Sequence, residues 1–393
     1  MRTFFVLLAI VISQVALGPS QQASAGPMAV TAPGSQGAQK SVKDLLAKAQ
    51  LLAARGQNEA ARDTLRRAVA ADPRDVDVQK LLGDVEYRLA HYSAAEAAYR
   101  AVLAVNPGDH DVRNRLGGVY AAEDNYQAAI NEFRSSLPSK EAFASLVQVY
   151  ADQGRLPELE SEYQMEENRQ PYEPVSHYNL GVIYEAEHRY DAAVMQYDAA
   201  IQSAPRFTDA HNALGIVYGE LGRYRDAIDQ YKTALAEDDK YYYAWMNWGV
   251  ELINSGDYAG AMEKINRAVA LAPDFPLAYE NLGVAYESMG DFTRAVEMYQ
   301  RTISLDPRER HIYENLGGIY LSHGLLNLAE AAFIKGLAVL PPSSTLHFDL
   351  GDVYQEEHKY RLAAEQYKSA LAMAPGDAPT RKKLSEVEAF LKR

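Results

Sequence analysis

Three histidines, His177, His211 and His347, stand at separations that are multiples of 34 residues (211 − 177 = 34; 347 − 211 = 4 × 34). Imidazoles repeated at a fixed spacing could build a ladder of metal ligands or a proton relay. The same register holds Trp245, Tyr279 and Tyr313, however. None of those offers a metal-binding nitrogen, so aromatic-sized packing accounts for the whole series. His188 and His358 share a second register where other segments carry glycine, and there a solvated turn is expected. Cysteine is absent, which removes thiolate nucleophiles, disulfides and cysteine-type zinc sites. No HExxH, GxxxxGK[ST], GxSxG or dinucleotide-binding pattern occurs. Carboxylates are plentiful but follow the polar faces of helical patterns, so no acid–base pair stands out. The expectation is a protein that is not an enzyme and has no cofactor and no metal.

Binding is the remaining chemistry, and composition narrows it. Lys and Arg total 39 against 53 Asp and Glu, a net charge of −14. Binding to a nucleic-acid backbone draws its affinity from released counterions and needs the opposite sign, so nucleic acid is excluded as an expected partner. Apolar residues at 48% and charged residues at 23% suit a folded, soluble chain. Tyrosine is unusually frequent at 27, against 10 Phe and 2 Trp.

The N-terminus reads as an address. Arg2 precedes the apolar run Phe4 to Ile12, and Ala23-Ser24-Ala25 offers a small-x-small cleavage site. Residues 1–25 are therefore expected to be a secretory signal peptide, making the protein periplasmic or secreted. The alternative is an uncleaved N-terminal membrane anchor. Residues 26–41, rich in Gly, Ala, Ser, Pro and Gln, read as a flexible linker.

The tyrosines and histidines are held in register by a repeat. Pro73, Pro107, Pro171, Pro205, Pro273, Pro307, Pro341 and Pro375 recur largely at 34 residues or twice 34, with Asp239 filling the gap. Each period contains two short helical patterns. Positions 4, 7, 8 and 11 of a period lie on one helical face, and positions 20, 24 and 27 on another. Position 8 is Gly in eight of ten periods and position 20 is Ala in nine, as a close approach of two antiparallel helices requires. Gly near position 15 suits the left-handed residue that ends the first helix, and proline at position 32 stops the second.

Leu180-Gly181, Tyr184, Ala193, Tyr197 and Pro205, and their equivalents in the other periods, resemble the tetratricopeptide repeat. The spans are 42–75, 76–109, 110–139, 140–173, 174–207, 208–241, 242–275, 276–309, 310–343 and 344–377, followed by a capping helix at 378–393. The resemblance implies an all-α fold, a right-handed α-α superhelix (solenoid) of about ten helix-turn-helix repeats whose first helices line a concave groove. The third repeat has only 30 residues (110–139), and the fourth carries Val147, Leu159 and Pro157 where the pattern differs. An irregular junction is expected near residues 134–160. Ser41 with Asp44 reads as a capping box opening the first helix, and Leu384, Val387 and Leu391 as the inner face of the last.

The groove residues are those pointing away from the core stripe. Position 6 reads Asn179, Ala213, Asn247, Asn281, Asn315 and Asp349 from the fifth repeat to the tenth, with Asn212 one place early. This row resembles the asparagine ladder in the repeats of O-linked N-acetylglucosamine transferases, which implies binding of an extended peptide by its backbone but not the transferase activity. A primary amide both donates and accepts, and so matches one peptide unit. The alternative is that asparagine is merely tolerated on an exposed helix face. Around the row, Tyr178, Val182, Ile216, Tyr243, Met246, Val250 and Ile253 offer apolar contacts; Glu280, Glu287, Glu314, Asp352 and Glu356 offer acidic ones. A hydrogen bond nets about 1 kcal/mol, while ordering a disordered segment costs about 2–5 kcal/mol. Four amides thus only offset the ordering, and affinity must come from the apolar contacts. The expected function is a protein-interaction scaffold for an extended partner segment bearing apolar and basic residues. The alternative is a structural component of an envelope assembly or secretion machine, such as pilus biogenesis or exopolysaccharide export, acting through other faces.

Overall fold

The computed structural model describes residues 35–391, apart from 171, 310 and 340–342; the expected signal peptide and most of the linker lie outside the described residues. The described residues form helices and turns, with no strand, and divide into two compact units, 35–281 and 282–391. The first unit holds α1 (Ser35–Ala54), α2 (Asn58–Ala71), α3 (Val76–Arg88), α4 (Tyr92–Val105), α5 (His110–Ala122), α6 (Tyr126–Ser136) and α7 (Lys140–Asp152). It continues with α8 (Leu156–Arg169), α9 (Pro174–Ala186), α10 (Tyr190–Ser203), α11 (Thr208–Glu220), α12 (Tyr224–Glu237), α13 (Tyr242–Asn254) and α14 (Tyr258–Leu271). The division falls inside α15 (Pro276–Ser288). The second unit contains α16 (Phe292–Leu305), α17 (Ile312–Ser322), α18 (Leu326–Val339), α19 (Ser344–Glu356), α20 (Tyr360–Met373) and α21 (Ala378–Leu391).

Within each unit, successive helices pair as antiparallel neighbours, and each pair packs on the next. The close approach inside a pair has one recurring cause. A Cβ on Gly181 would lie 2.6 Å from Cδ1 of Tyr197, and one on Gly317 would lie 2.6 Å from Cζ of Phe333. The aromatic ring at position 24 of the second helix therefore packs directly against the glycine of the first, where any side chain would overpack the contact. These rings are fully buried, including Tyr99, Tyr197, Tyr231, Tyr299, Phe333 and Tyr367. Three of the tyrosine hydroxyls donate to the first helix: Tyr197 Oη to Glu185 Oε2 at 2.7 Å, Tyr299 Oη to Glu287 Oε2 at 2.7 Å, and Tyr367 Oη to Gln355 Oε1 at 2.9 Å.

Turns are equally regular. Gly56, Gly154, Gly222, Gly256, Gly290 and Gly324 all have φ between +64° and +84°, and the chain reverses through bonds such as Gln57 N to Leu52 O at 2.9 Å. His188 and His358 hold the same left-handed conformation at φ 56° and 58°, and both are exposed, as expected for solvated turns.

Position 4 proves to be a hydrogen-bonding post rather than a packing site alone. Gln79, Arg113, His211, Trp245, Tyr279 and Tyr313 each bond the backbone carbonyl six residues earlier, that of Pro73, Pro107, Pro205, Asp239, Pro273 and Pro307. Arg381 of α21 does the same to Pro375, so the last helix begins as a first helix does. His177, His211 and His347 also engage Gln196, Gln230 and Gln366 of their own second helices at 2.7–2.8 Å.

Expectations change at the two ends. Helix α1 starts at Ser35, so residues 35–41 are helical and Ser41 lies inside the helix rather than capping it. The run Ala38-Gln39-Lys40 contains good helix formers and no breaker, which is why the helix extends back. At the other end Val387 is buried but Leu391 is 45% exposed; Phe390 instead stacks on Tyr360 with centroids 4.8 Å apart. At the junction, α6 has 11 residues where α4 has 14, the Leu137–Pro138 bond is cis, and α7 packs more on α9 than on its own partner α8.

Candidate interaction face of the first helices

In the first unit the first helices α7, α9, α11 and α13 also touch one another side by side. That contact decides the fate of the position-6 row. Asn179 is half-buried, Asn212 is 1% exposed, and Asn247 and Asn281 are fully buried. Asn247 Nδ2 donates to Asn212 Oδ1 at 3.1 Å, bridging α11 and α13. Asn281 Nδ2 donates to Leu277 O at 3.0 Å and lies 3.7 Å from Met246 Sδ. In the second unit, Asn315 and Glu314 of α17 are partly exposed, Glu314 lying 3.5 Å from His311, and Asp349 of α19 is 7% exposed.

The expected open row is thus corrected to a row that is largely closed within the chain. The apolar set changes likewise: Tyr178, Val182, Ile216, Met246 and Val250 are at most 3% exposed, as is the acidic Glu280. Tyr178 packs on Tyr197 and Phe207, and Ile216 and Val250 join Ala227, Tyr231 and Ala244 in one core cluster. Helical periodicity assigns a side chain to the face opposite its own second helix; it does not reveal that the neighbouring first helix covers that face. Of the apolar candidates from the repeats around α9 to α13, Tyr243 keeps partial exposure. Glu287, read as a groove acid, accepts the hydroxyl of Tyr299, and Asp352, read likewise, shares that of Tyr367 with Gln355.

Two features of this face escape periodicity. The first is a pair of buried carboxyl groups. Burial pushes the Glu185 carboxyl up to about 8, partly opposed by the Tyr197 hydroxyl, and burial pushes Glu251 up to about 7. Glu251 fills a space that Gly219 leaves open, since a Cβ on that glycine would lie 2.9 Å from the Glu251 carboxyl carbon. The sequence signal for Glu185 is its register with Gln355, the residue that receives Tyr367.

The second feature joins helices that are not adjacent. Lys140 Nζ, at the start of α7, reaches past α9 to Asp209 Oδ1 of α11 at 2.7 Å. Tyr241 Oη donates to the same oxygen at 2.7 Å. The ammonium lies over the rings of Tyr241 and Tyr243, 4.9 and 5.9 Å from their centroids. The pair spans 69 positions and joins first helices two repeats apart. Among the described residues no group of three His, Asp or Glu stands where it could hold a metal ion, and no helix is long and apolar enough to cross a membrane.

Paired helices, glycine–ring contacts and proline-closed turns at a 34-residue period define a helical repeat protein. Tetratricopeptide repeat models match residues 42–85, 80–142, 178–240, 212–276 and 276–309, and the chain belongs to the tetratricopeptide repeat family. Among solved structures it is similar to the APC/C hetero-tetramer of Cut9 and Hcn1 (17% identity, 88% of this chain and 76% of that one, TM-score 0.54). It is also similar to a tetratricopeptide repeat protein from Parabacteroides merdae (20% identity, 63% and 98%, TM-score 0.48). A third similar structure is Pseudomonas aeruginosa PilF (19% identity, 57% and 99%, TM-score 0.46). At these identities the likeness shows the fold alone. A comparison with curated proteins gives no match.

Proposed function

We propose that this chain is a non-catalytic scaffold that receives an extended segment of a partner protein along the first helices α9, α11 and α13. The repeat family supports a protein-interaction role. The observation that carries the finer reading is the access left on α9 and α13: Asn179 and Tyr243 keep partial exposure, while Asn212 and Asn247 are closed against each other. A peptide backbone laid along this face pairs one peptide unit with the Asn179 amide, which both donates and accepts. One such pairing nets only about 1 kcal/mol, so apolar contacts at the partly exposed Tyr243 and basic partner residues facing an acidic chain supply the affinity. The N-terminal pattern at residues 1–25 supports export to the periplasm or the exterior, with an N-terminal anchor as the alternative.

The test is a peptide array of extended 12-residue segments, probed with the full chain and with Asn179→Ala, matched by circular dichroism. Spots carrying apolar and basic residues should bind the first and fade with the second. Equal binding by both chains removes the Asn179 amide from the mechanism.

A second reading has its own observation. On α18, Leu328 and Ile334 are 49% and 46% exposed, with Ala331 beside them, at positions where α12 carries Asp226, Asp229 and Lys232. An outward apolar stripe of this kind favours a structural component of an envelope assembly that docks through second helices. Leu328→Glu/Ile334→Glu separates the two readings, because it spares peptide binding and abolishes docking through α18.

A further inference from the structure

Lys140 and its surroundings have the form of a site with its ligand in place. A carboxylate oxygen faces the ammonium at 2.7 Å, a tyrosine hydroxyl fixes that same oxygen, and two aromatic faces lie 4.9 and 5.9 Å from the nitrogen. Glu141 adds negative potential within electrostatic reach of Tyr243, and its carboxylate is held by Ser139 Oγ at 2.8 Å. A carboxylate with flanking aromatic rings is an arrangement that recognises alkylammonium groups. The receiving side chains belong to α11, α13 and the turn before it, whereas the occupant comes from α7.

We propose that Lys140 is an intramolecular stand-in for a lysine side chain of the partner, and that Asp209, Tyr241 and Tyr243 form the acceptor site for that lysine. The proposal rests on the reading above, and names the residue type that the partner presents at this point of the face. Displacement is feasible because the pair is not sealed: the Lys140 side chain is 33% exposed and that of Asp209 is 24% exposed. Ion pairs with this access to water are weak. Tethering gives Lys140 an effective concentration on the order of millimolar, so free lysine competes poorly. A peptide whose neighbouring residues also bind competes well. Lys140 thereby guards the site against isolated cations and yields to a segment that brings further contacts.

The experiment uses the full chain, Lys140→Met, and Lys140→Met/Asp209→Asn, matched by circular dichroism. The first arm titrates n-butylammonium and follows backbone amide shifts. Lys140→Met should show saturable shifts at 209 and 241–243, with affinity about tenfold above that of the unsubstituted chain, and the double variant should show none. Absence of saturable shifts in Lys140→Met overturns the proposal. The second arm measures anisotropy of a fluorescein-labelled peptide of alternating valine and lysine, beside its acetyl-lysine counterpart. A gain of about tenfold on Lys140→Met, confined to the lysine peptide, is expected; an equal gain with acetyl-lysine overturns the proposal. If butylammonium binds as expected but neither peptide binds any chain, the acceptor site stands and the extended-segment reading fails.

Discussion

Replacing Glu185 with glutamine should make the protein more stable at pH 8 and leave it nearly unchanged at pH 5. The carboxyl is 3% exposed and burial raises it from 4.5 to about 8, so between those values the folded chain holds a proton that the unfolded chain has released. Unfolding then releases protons, and stability falls as pH rises from about 4.5 to about 8, levelling outside that window. With 1.36 kcal/mol per pKa unit, the loss between pH 5 and pH 8 is about 3 kcal/mol. Glutamine carries no titrating proton and still accepts from Tyr197, as Gln355 accepts from Tyr367 at 2.9 Å. Urea unfolding followed by circular dichroism at pH 5, 6.5 and 8 measures the difference. Because repeat arrays can unfold in stages, the comparison is made on the transition that Glu185→Gln moves. A variant that is destabilised equally at all three pH values would refute the reasoning, since it would show an ionised Glu185 that the fold needs.

Gly317→Ala gains about 1 kcal/mol of helix propensity but drives a methyl into the buried Phe333 ring, an overpacking cost of about 1–3 kcal/mol. It should lower the thermal midpoint, and Phe333→Leu in the same chain should recover part of the loss. His358→Gly relieves a left-handed non-glycine residue at φ 58° and should stabilise by about 1 kcal/mol in urea unfolding, the exposed contact to Tyr360 contributing little. Tyr313→Phe removes the bond to the Pro307 carbonyl at 2.9 Å and should cost about 1 kcal/mol. No change on that substitution would show that the loop carbonyl does not depend on the side chain.

The repeat was legible because each of its marks has a local cause. Glycine at position 8 and alanine at position 20 announce a close helix pair, and Gly56, Gly154 and Gly222 announce left-handed turns, all with φ above +60°. The position-4 posts were legible in principle. Gln79, Arg113, His211, Trp245 and Tyr313 share little except an N–H or O–H at similar reach, and that common donor is the signal that an aromatic-packing reading overlooks. The face of the first helices was less legible. Whether Asn247 or Val250 meets solvent depends on how closely one first helix lies beside the next, a property of stacking between repeats rather than of periodicity within one. Lys140 and Asp209 were hidden for the same reason. Their pairing joins first helices two repeats apart, which no pattern within one repeat encodes.

The central claim is that the first helices α9, α11 and α13 receive an extended segment. Hydrogen–deuterium exchange of the full chain, with and without a saturating array-selected peptide, tests it most directly. Protection concentrated within residues 174–186, 208–220 and 242–254 is the predicted footprint. Protection confined to residues 326–339, with the first helices unchanged, would contradict the claim and assign recognition to the outer face of α18.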